Sequence, residues 1–369
     1  MAWIAVALAF ASALIWWGIL LAPWRSWSTR ERFEIDSNQH DGDTTDITVL
    51  IPARDEAGFL PRTLAALNNS SSVLSVIVID DHSSDETATV ARAMGAEVII
   101  ATPLPTDWSG KLWALEQGRL QTASRWLLLL DADIEIVPGT VTALRRMANE
   151  RNLQLVSLMA WLRMVGFWEQ LLMPAFVFFF KLLYPFKLAN KPSSRQAAAA
   201  GGCILVESRV LAEIGGFGSL RSELIDDCAL AHAVKARGHA TWIGLTHAAT
   251  SHRSYDSLAS ISQMVARSAF TQLRYSMTLL GLCSLLLLLA CWIPVVGLFF
   301  PIARWFALCA WIAMILSYLP TLRFYHRSSW WSLCMPLIGT LYLAMTWYSA
   351  CRHWSGTGIR WKDRDYQLR

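Results

Sequence analysis

Arg125-Trp-Leu-Leu-Leu-Leu-Asp-Ala-Asp-Ile134 is the stretch that decides the fold. Its leucines run straight into Asp131-Ala132-Asp133. A short continuous apolar run suits a strand buried on both faces, as in a sheet covered by helices. Carboxylates at its C-terminal end then emerge where open α/β sheets bind their ligands. Spaced i, i+2, they can reach a hard cation or a sugar hydroxyl. Mg²⁺ or Mn²⁺ held this way keeps waters and takes phosphate oxygens as its other ligands. Alone, the pair equally fits a strand ending in a solvated acidic turn, so the neighbouring segments carry the decision.

Upstream, a domain is expected to start at Ile47. Thr48-Val-Leu-Ile-Pro52 reads as a buried strand, followed by Ala53-Arg-Asp-Glu56 and a helix from about Leu60 to Leu67. Val73–Ile79 predicts a second strand ending in Asp80-Asp81-His-Ser-Ser-Asp85, where Ser84 or Asp85 can cap the next helix. Val98–Ala101 and Leu127–Leu130 predict the third and fourth. Strands alternating with helices imply a mainly parallel, doubly wound sheet with right-handed crossovers. Two strands then end in acidic residues, Asp80/Asp81 and Asp131/Asp133, at one carboxyl edge.

Downstream, Gly201-Gly202 lets backbone approach a donor sugar or an acceptor. Cys203–Val206 predicts another strand and Gly215-Gly216-Phe217 a turn. Asp226-Asp227 opens a helix ending at Arg237-Gly238, with the glycine as its C′ residue. The positive end of that helix dipole favours ionised carboxylates, which also suits simple capping. A strand and a loop ending in Ser251-His-Arg253 follow Trp242. His82, His239, His247 and His252 have no partner spacing and read as structural. Ser260–Tyr275 reads as an amphipathic helix bearing Gln263, Arg267, Gln272 and Arg274.

Hydrophobic residues make up 54% and charged residues 16% of the 369, and the mean hydropathy is +0.35. That is too apolar for an ordinary soluble enzyme. The net charge of +4, with no basic stripe interleaved with aromatics, argues for no nucleic-acid partner. None of the seven cysteines forms a Cys-x-x-Cys pair, so they read as reduced packing residues.

The apolar residues concentrate at the ends. Ala2–Ala22 is uncharged and long enough to span a bilayer. It lacks a basic n-region and a clear cleavage site, so residues 1–23 read as a retained anchor. Arg25, Arg30 and Arg32 follow it, which puts the next domain in the cytoplasm. Residues 24–46 read as a linker. Apolar segments at 277–300, 303–322 and 330–350 predict transmembrane helices over 276–351, with Trp near their ends and a kink from Pro294, Gly297 and Pro301. Three crossings would leave the C-terminus outside. Arg352, Arg360, Lys362 and Arg364 in the basic tail 352–369 favour inside, and both signals stand. Trp161–Leu188 is apolar too, but Glu169, Lys181, Pro174 and Pro185 interrupt it. A single crossing there would put Asp133 and Asp227 on opposite sides of the bilayer. Residues 161–190 are therefore expected as interfacial amphipathic helices guiding a lipid acceptor, with a buried core pair as the alternative.

Val49-Leu-Ile-Pro-Ala-Arg-Asp-Glu56, Val76-Ile-Val-Ile-Asp-Asp-His-Ser-Ser-Asp-Glu-Thr87, Gly110-Lys111 and Leu130-Asp-Ala-Asp133 resemble the nucleotide-sugar half of family 2 glycosyltransferases. Ala200-Gly-Gly-Cys203, Ile214-Gly-Gly-Phe217 and Asp226-Asp-Cys-Ala-Leu230 resemble the acceptor half. The ordered set spans residues 47–275. Within the family, the chain resembles hopanoid-biosynthesis-associated enzymes and, more distantly, ceramide glucosyltransferases.

The resemblance implies a GT-A-like α/β domain over 47–275 and inverting transfer from a nucleotide-diphosphate sugar to a lipid acceptor such as a hopanoid. It implies an inner-membrane, multi-pass protein with its catalytic domain cytoplasmic. Asp133 would be the metal ligand for Mg²⁺ or Mn²⁺, and Asp131 would hold the ribose or the metal's outer ligands. Asp81 would accept from the base. Pro52, Arg54 and Glu56 would line the nucleotide pocket, and Lys111 would reach a phosphate or the sugar. Asp227 would be the general base. The family has Glu-Asp where this chain has Asp226-Asp227, which puts a supporting role for Asp226 in question. Gly201, Gly202, Arg267 and Arg274 fall on the acceptor side. Polymerising relatives carry Gln-x-x-Arg-Trp there; this chain has Gln263-x-x-x-Arg267 and Gln272-Leu-Arg-Tyr275 instead. Alternatives are a polyprenyl-phosphate glycosyltransferase, a polysaccharide synthase and a catalytically degenerate membrane scaffold.

Overall fold

The computed structural model describes residues 2–35, 44–69, 74–356, 359–361 and 364–366. The middle of the 24–46 linker, Val73 and Lys362 of the basic tail lie outside the described residues. The chain forms two compact units, residues 31–163 with 186–254, and residues 1–30 with 164–185 and 255–369.

The first unit is built on a nine-stranded sheet. Its strands are β1 (Arg32–Phe33), β2 (Ile47–Ala53), β3 (Ser75–Asp80), β4 (Glu97–Ile100), β5 (Trp126–Leu130), β6 (Ile134–Ile136), β7 (Leu155–Leu162), β8 (Cys203–Glu207) and β9 (Thr241–Ser251). The order is β1-β9-β7-β8-β5-β2-β3-β4, with β6 on β9. Pairings are parallel except that β8 runs against both β5 and β7, and β6 against β9. Helices α2 (Leu60–Asn68), α3 (Thr87–Ala93), α4 (Gly110–Leu120), α5 (Thr140–Glu150), α7 (Phe186–Ala189), α8 (Ser208–Glu213) and α9 (Asp226–Ala236) complete the unit.

The leucine run is continuous because β5 is covered on both faces. Leu128 and Leu130 join Val49, Ile51, Leu64 and Leu144 in one core. Leu127 and Leu129 join Leu50, Ile77, Leu115 and Leu230 in the other. Burying each such side chain contributes about 1.5–3 kcal/mol. The reversal of β8 matters for the site. Leu130 pairs with Cys203, so Gly201-Gly202, just before β8, arrives at the edge where β2, β3 and β5 end.

The expected linker is shorter than 24–46. Arg32 and Phe33 pair with Leu245 and Thr246 of β9, and Asp46 takes Arg145 Nη2 at 2.8 Å. Trp126 N–H also donates to the Asp46 carbonyl.

The second unit is helical. It holds α1 (Ala2–Leu21), α6 (Phe167–Leu183), α10 (Leu258–Ala266), α11 (Ala269–Gln272), α12 (Met277–Cys291), α13 (Ile293–Val296), α14 (Arg304–Phe324) and α15 (Met335–Trp354). A small hairpin, β10 (Ile359–Trp361) and β11 (Arg364–Tyr366), follows. Four stretches, Ala2–Leu21, Met277–Phe299, Arg304–Phe324 and Ser329–Trp354, are long and apolar enough to cross a membrane. Trp3, Leu285, Trp305 and Ile312 are exposed on them. The third apolar segment from the end is kinked as its prolines suggest: α12 stops at Cys291 and the chain resumes as α13 around Pro294.

Two expectations change here. Residues 161–190 are not a helix pair. β7 runs to Leu162, α6 is one 17-residue helix with Pro174 inside it, and α7 is a single turn. The charges that interrupt the segment are buried. Glu169 accepts from the backbone N–H of Val165, Gly166 and Tyr255 at 2.8–3.0 Å, which is how a buried carboxylate is made tolerable. Phe178 is fully buried against Tyr318. Ser260–Tyr275 is not one helix either. α10 and α11 are separate, and Arg274 and Tyr275 adopt φ of 50° and 56°.

Candidate active site

The carboxyl edge of the sheet gathers the expected residues in three groups. In the first, the turns after β2 and β3 lock together. Asp55, at φ 50°, accepts Ser84 N–H at 2.7 Å. Asp85 accepts the N–H of Ala57 and of Thr87, the first residue of α3. Glu56 N–H donates to Thr87 Oγ1 at 2.8 Å. Arg54 Nη1 donates to the Asp81 carbonyl at 2.8 Å and lies 3.7 Å from its carboxylate. Arg54 is thus paired with buried Asp81.

The second group centres on Lys111, at the start of α4, where Ser109 caps Leu112 N–H. Lys111 Nζ is 2.6 Å from Asp131 Oδ1 and donates to the Gly201 carbonyl at 3.4 Å. A Cβ on Gly201 would lie 3.3 Å from Lys111 Nζ and 3.5 Å from Asp227 Oδ2. Close approach, not backbone conformation, is therefore what glycine supplies there. Asp131 N–H donates to the Gly202 carbonyl at 3.0 Å. Asp227 accepts Cys228 N–H at 2.7 Å and a second bond from the Gly201 backbone. These residues and Pro52, Asp226, Leu112, Phe217 and Leu230 line a single cavity. Gly216 holds its far wall. At φ 65° a Cβ would meet Glu116 Oε2 at 2.8 Å, and that carboxylate accepts Phe217 N–H.

Electrostatics divide this group. Burial pulls the Lys111 ammonium down, but Asp131, Asp226 and Asp227 together outweigh it and raise its pKa. Burial raises Asp131, against the pull of Lys111 and with help from Asp133. Burial, then the Asp226 charge, pushes Asp227 up to about 7 in spite of its two backbone bonds and Lys111. A carboxylate titrating near neutrality beside a cavity is the property a general base needs. Burial and Asp131 likewise push the Cys203 thiol up to about 12.

The third group surrounds Asp133, and the sequence reading missed most of it. Asp133 Oδ2 accepts Ser251 Oγ–H at 2.6 Å, and Oδ1 lies 3.2 Å from Arg253 Nη2. Arg253 Nη2 also meets Glu56 Oε1 at 2.6 Å. His252 N–H donates to the Asp133 carbonyl, and its ring reaches Glu135. The only sequence signal was a polar Ser-His-Arg triplet closing an apolar strand. His247 packs against Trp161 with its ring tilted by 54°, and His239 bonds Glu213. Arg267 and Arg274 belong to the helical unit, and the site described here contains neither.

Among the described residues no three His, Cys, Asp or Glu side chains converge on a metal-sized point. The Asp131 and Asp133 oxygens nevertheless fit a hard divalent ion that takes its remaining ligands from phosphate and water. The Arg253 guanidinium already rests on Asp133, so an ion there would have to share or displace it.

Residues 48–215 match the family model for glycosyl transferase family 2. Over that stretch the chain is similar to family 2 glycosyltransferases. A 4,4'-diaponeurosporenoate glycosyltransferase of Staphylococcus haemolyticus is 36% identical over 119 residues, 32% of this chain and 32% of that protein. The Staphylococcus aureus protein of the same name is 32% identical over 109 residues, 29% of this chain and 28% of its own length. The chain thus spans about a third of these curated relatives. A mannosyltransferase of Pyrobaculum calidifontis, solved with GDP-Man and Mn²⁺, has a TM-score of 0.53 at 18% identity, covering 94% of this chain and 99% of that one. That likeness establishes the fold, GT-A, for the glycosyltransferase domain.

Proposed function

We propose that the chain is a membrane-bound inverting glycosyltransferase that moves one sugar from a nucleotide-diphosphate donor to a lipid acceptor. The observation that carries this is the cluster of Lys111, Asp131 and Asp227 around Gly201, at the same sheet edge as Asp133. Donor and acceptor groups stand side by side there. Asp81, Arg54, Pro52 and Glu56 hold the nucleotide end. Lys111 and Asp131 orient the sugar and its phosphates. A divalent ion at Asp133, Mg²⁺ or Mn²⁺, supplies charge neutralisation for the leaving diphosphate when bound. Asp227 takes the proton of the acceptor hydroxyl as the acceptor attacks the face opposite the diphosphate, which inverts the anomeric centre.

The lipid acceptor rests on four apolar helices and on relatives named for diaponeurosporenoate. Hopanoids carry hydroxyls, and the sequence resemblance favours them. The relatives' name favours an apolar carboxylate, which arrives already deprotonated and leaves Asp227 little to do. The basic residues after α1 support a cytoplasmic side for the glycosyltransferase domain. Incubating membranes that contain the protein with a panel of nucleotide sugars, then identifying the labelled lipid by mass spectrometry, tests both readings. No labelled lipid with any donor would remove the assignment.

The expected lipid-guiding role of α6 also has a test. Phe178 is core, and truncating a buried Phe costs about 3–5 kcal/mol. Phe178→Ser should therefore reduce lipid transfer and donor hydrolysis together, along with the melting temperature. A selective loss of lipid transfer would restore the guiding role.

A further inference from the structure

Both Asp133 oxygens are engaged. Ser251 Oγ–H holds Oδ2 at 2.6 Å and Arg253 Nη2 holds Oδ1 at 3.2 Å. The carboxylate is buried, with 8% side-chain exposure against 31% for Arg253. An ion on Asp133 would need an oxygen at roughly 2.0–2.1 Å. Two full positive charges on one oxygen repel strongly where water screens little. Arg253 is not committed to Asp133 alone. Its contact with Glu56 is shorter, at 2.6 Å, and its guanidinium lies 5.3 Å from the centre of the Phe59 ring. It can give up Asp133 and keep two anchors.

We propose that Arg253 is a built-in competitor for the ion: it occupies Asp133 in the ion-free protein, and a divalent cation binds there only as Arg253 withdraws onto Glu56 and Phe59. Arg253 is a positioning residue in this scheme. It holds the Asp133 carboxylate aimed while the ion is away, and it lowers the apparent ion affinity by the fraction of time the contact is made. A contact closed nine-tenths of the time weakens ion binding about tenfold. The inference rests on Asp133 being the ion's ligand, as proposed above.

The test is Mn²⁺ titration of the full chain in detergent, followed by electron paramagnetic resonance, with no donor or acceptor present. Arg253→Gln should bind Mn²⁺ about tenfold more tightly than the wild type. Arg253→Lys keeps the charge but loses the planar fork, so it should fall between the two. Arg54→Gln removes a positive charge that is paired with Asp81, and it should tighten Mn²⁺ binding less than Arg253→Gln does. Asp133→Asn should abolish the site. Equal or weaker binding by Arg253→Gln, with binding lost in Asp133→Asn, overturns the competition alone. Equal tightening by Arg54→Gln overturns it too, because general charge then explains the gain. Mn²⁺ binding that survives in Asp133→Asn overturns the ligand assignment beneath it.

Discussion

Two acidic pairs stand at the same sheet edge and are neutralised in different ways. At the end of β5, Asp131 and Asp133 each have a cation of their own, Lys111 and Arg253. At the start of α9, Asp227 has only the pull of Lys111, already engaged by Asp131, and burial and the Asp226 charge raise it. Adjacent carboxylates on a helix and alternate carboxylates on a strand end thus differ less in spacing than in what neutralises them. The β5 pair is matched to basic side chains and suits charged ligands. The α9 pair is built so that one member holds a proton near neutral pH and can exchange it.

The comparison breaks most sharply at Asp133. Asp133→Ala should abolish transfer, and EDTA should do the same to the wild type, since an ion at the leaving diphosphate is worth several kcal/mol. Full activity of the wild type in chelator would make Asp133 a structural partner of Arg253 and nothing more.

The next largest effect is expected at Asp227. Asp227→Asn should bind donor normally and lose turnover by about 10²–10⁴-fold, with Asp226→Asn retaining more. Product with the donor's anomeric configuration retained would show that Asp227 is not the base of an inverting reaction. Near-normal turnover of Asp227→Asn with an apolar carboxylate acceptor, and loss with a hydroxyl acceptor, would sharpen the comparison instead.

The smallest effect is a pH shift. With Asp227 titrating near 7, turnover should rise with pH through that value and level off above it. Asp226→Asn removes the neighbouring charge that raises Asp227, so its rising limb should move to lower pH. The sign for stability runs the other way. Asp227 binds its proton more tightly folded than unfolded, so its contribution is fully present below the ordinary carboxylate range, near 3.9, and is lost as pH rises to about 7. A melting temperature that climbs between pH 4 and 7 in the wild type but not in Asp227→Asn would contradict this.

Much of the donor half was legible in the chain. Strands β2, β3, β4 and β5 fall within a few residues of their expected positions, because each is a short apolar run closed by polar residues. Local signals also carried Gly238, at φ 86°, and the kink at Pro294. What escaped were elements whose pattern is set by partners elsewhere. β1 is two residues long and exists because Thr241–Ser251 lies beside it. β6 and most of β7 read as ordinary apolar sequence between turns. α6 looked like a surface segment because Glu169 and Lys181 interrupt it, yet both are buried.

The sequence by itself determined the alternation of strands and helices, the carboxylates at strand ends and helix start, and the apolar ends of the chain. These follow from periodicity and from residue types acting within a few positions. Only the tertiary structure decided which charge neutralises which. Lys111 meets Asp131 and Gly201, and Arg253 meets Asp133 and Glu56, across 20 to nearly 200 residues of chain. The physical reason is that an ion pair depends on distance in space, and the reversed strand β8 and the pairing of β6 with β9 set those distances. No local pattern encodes either one.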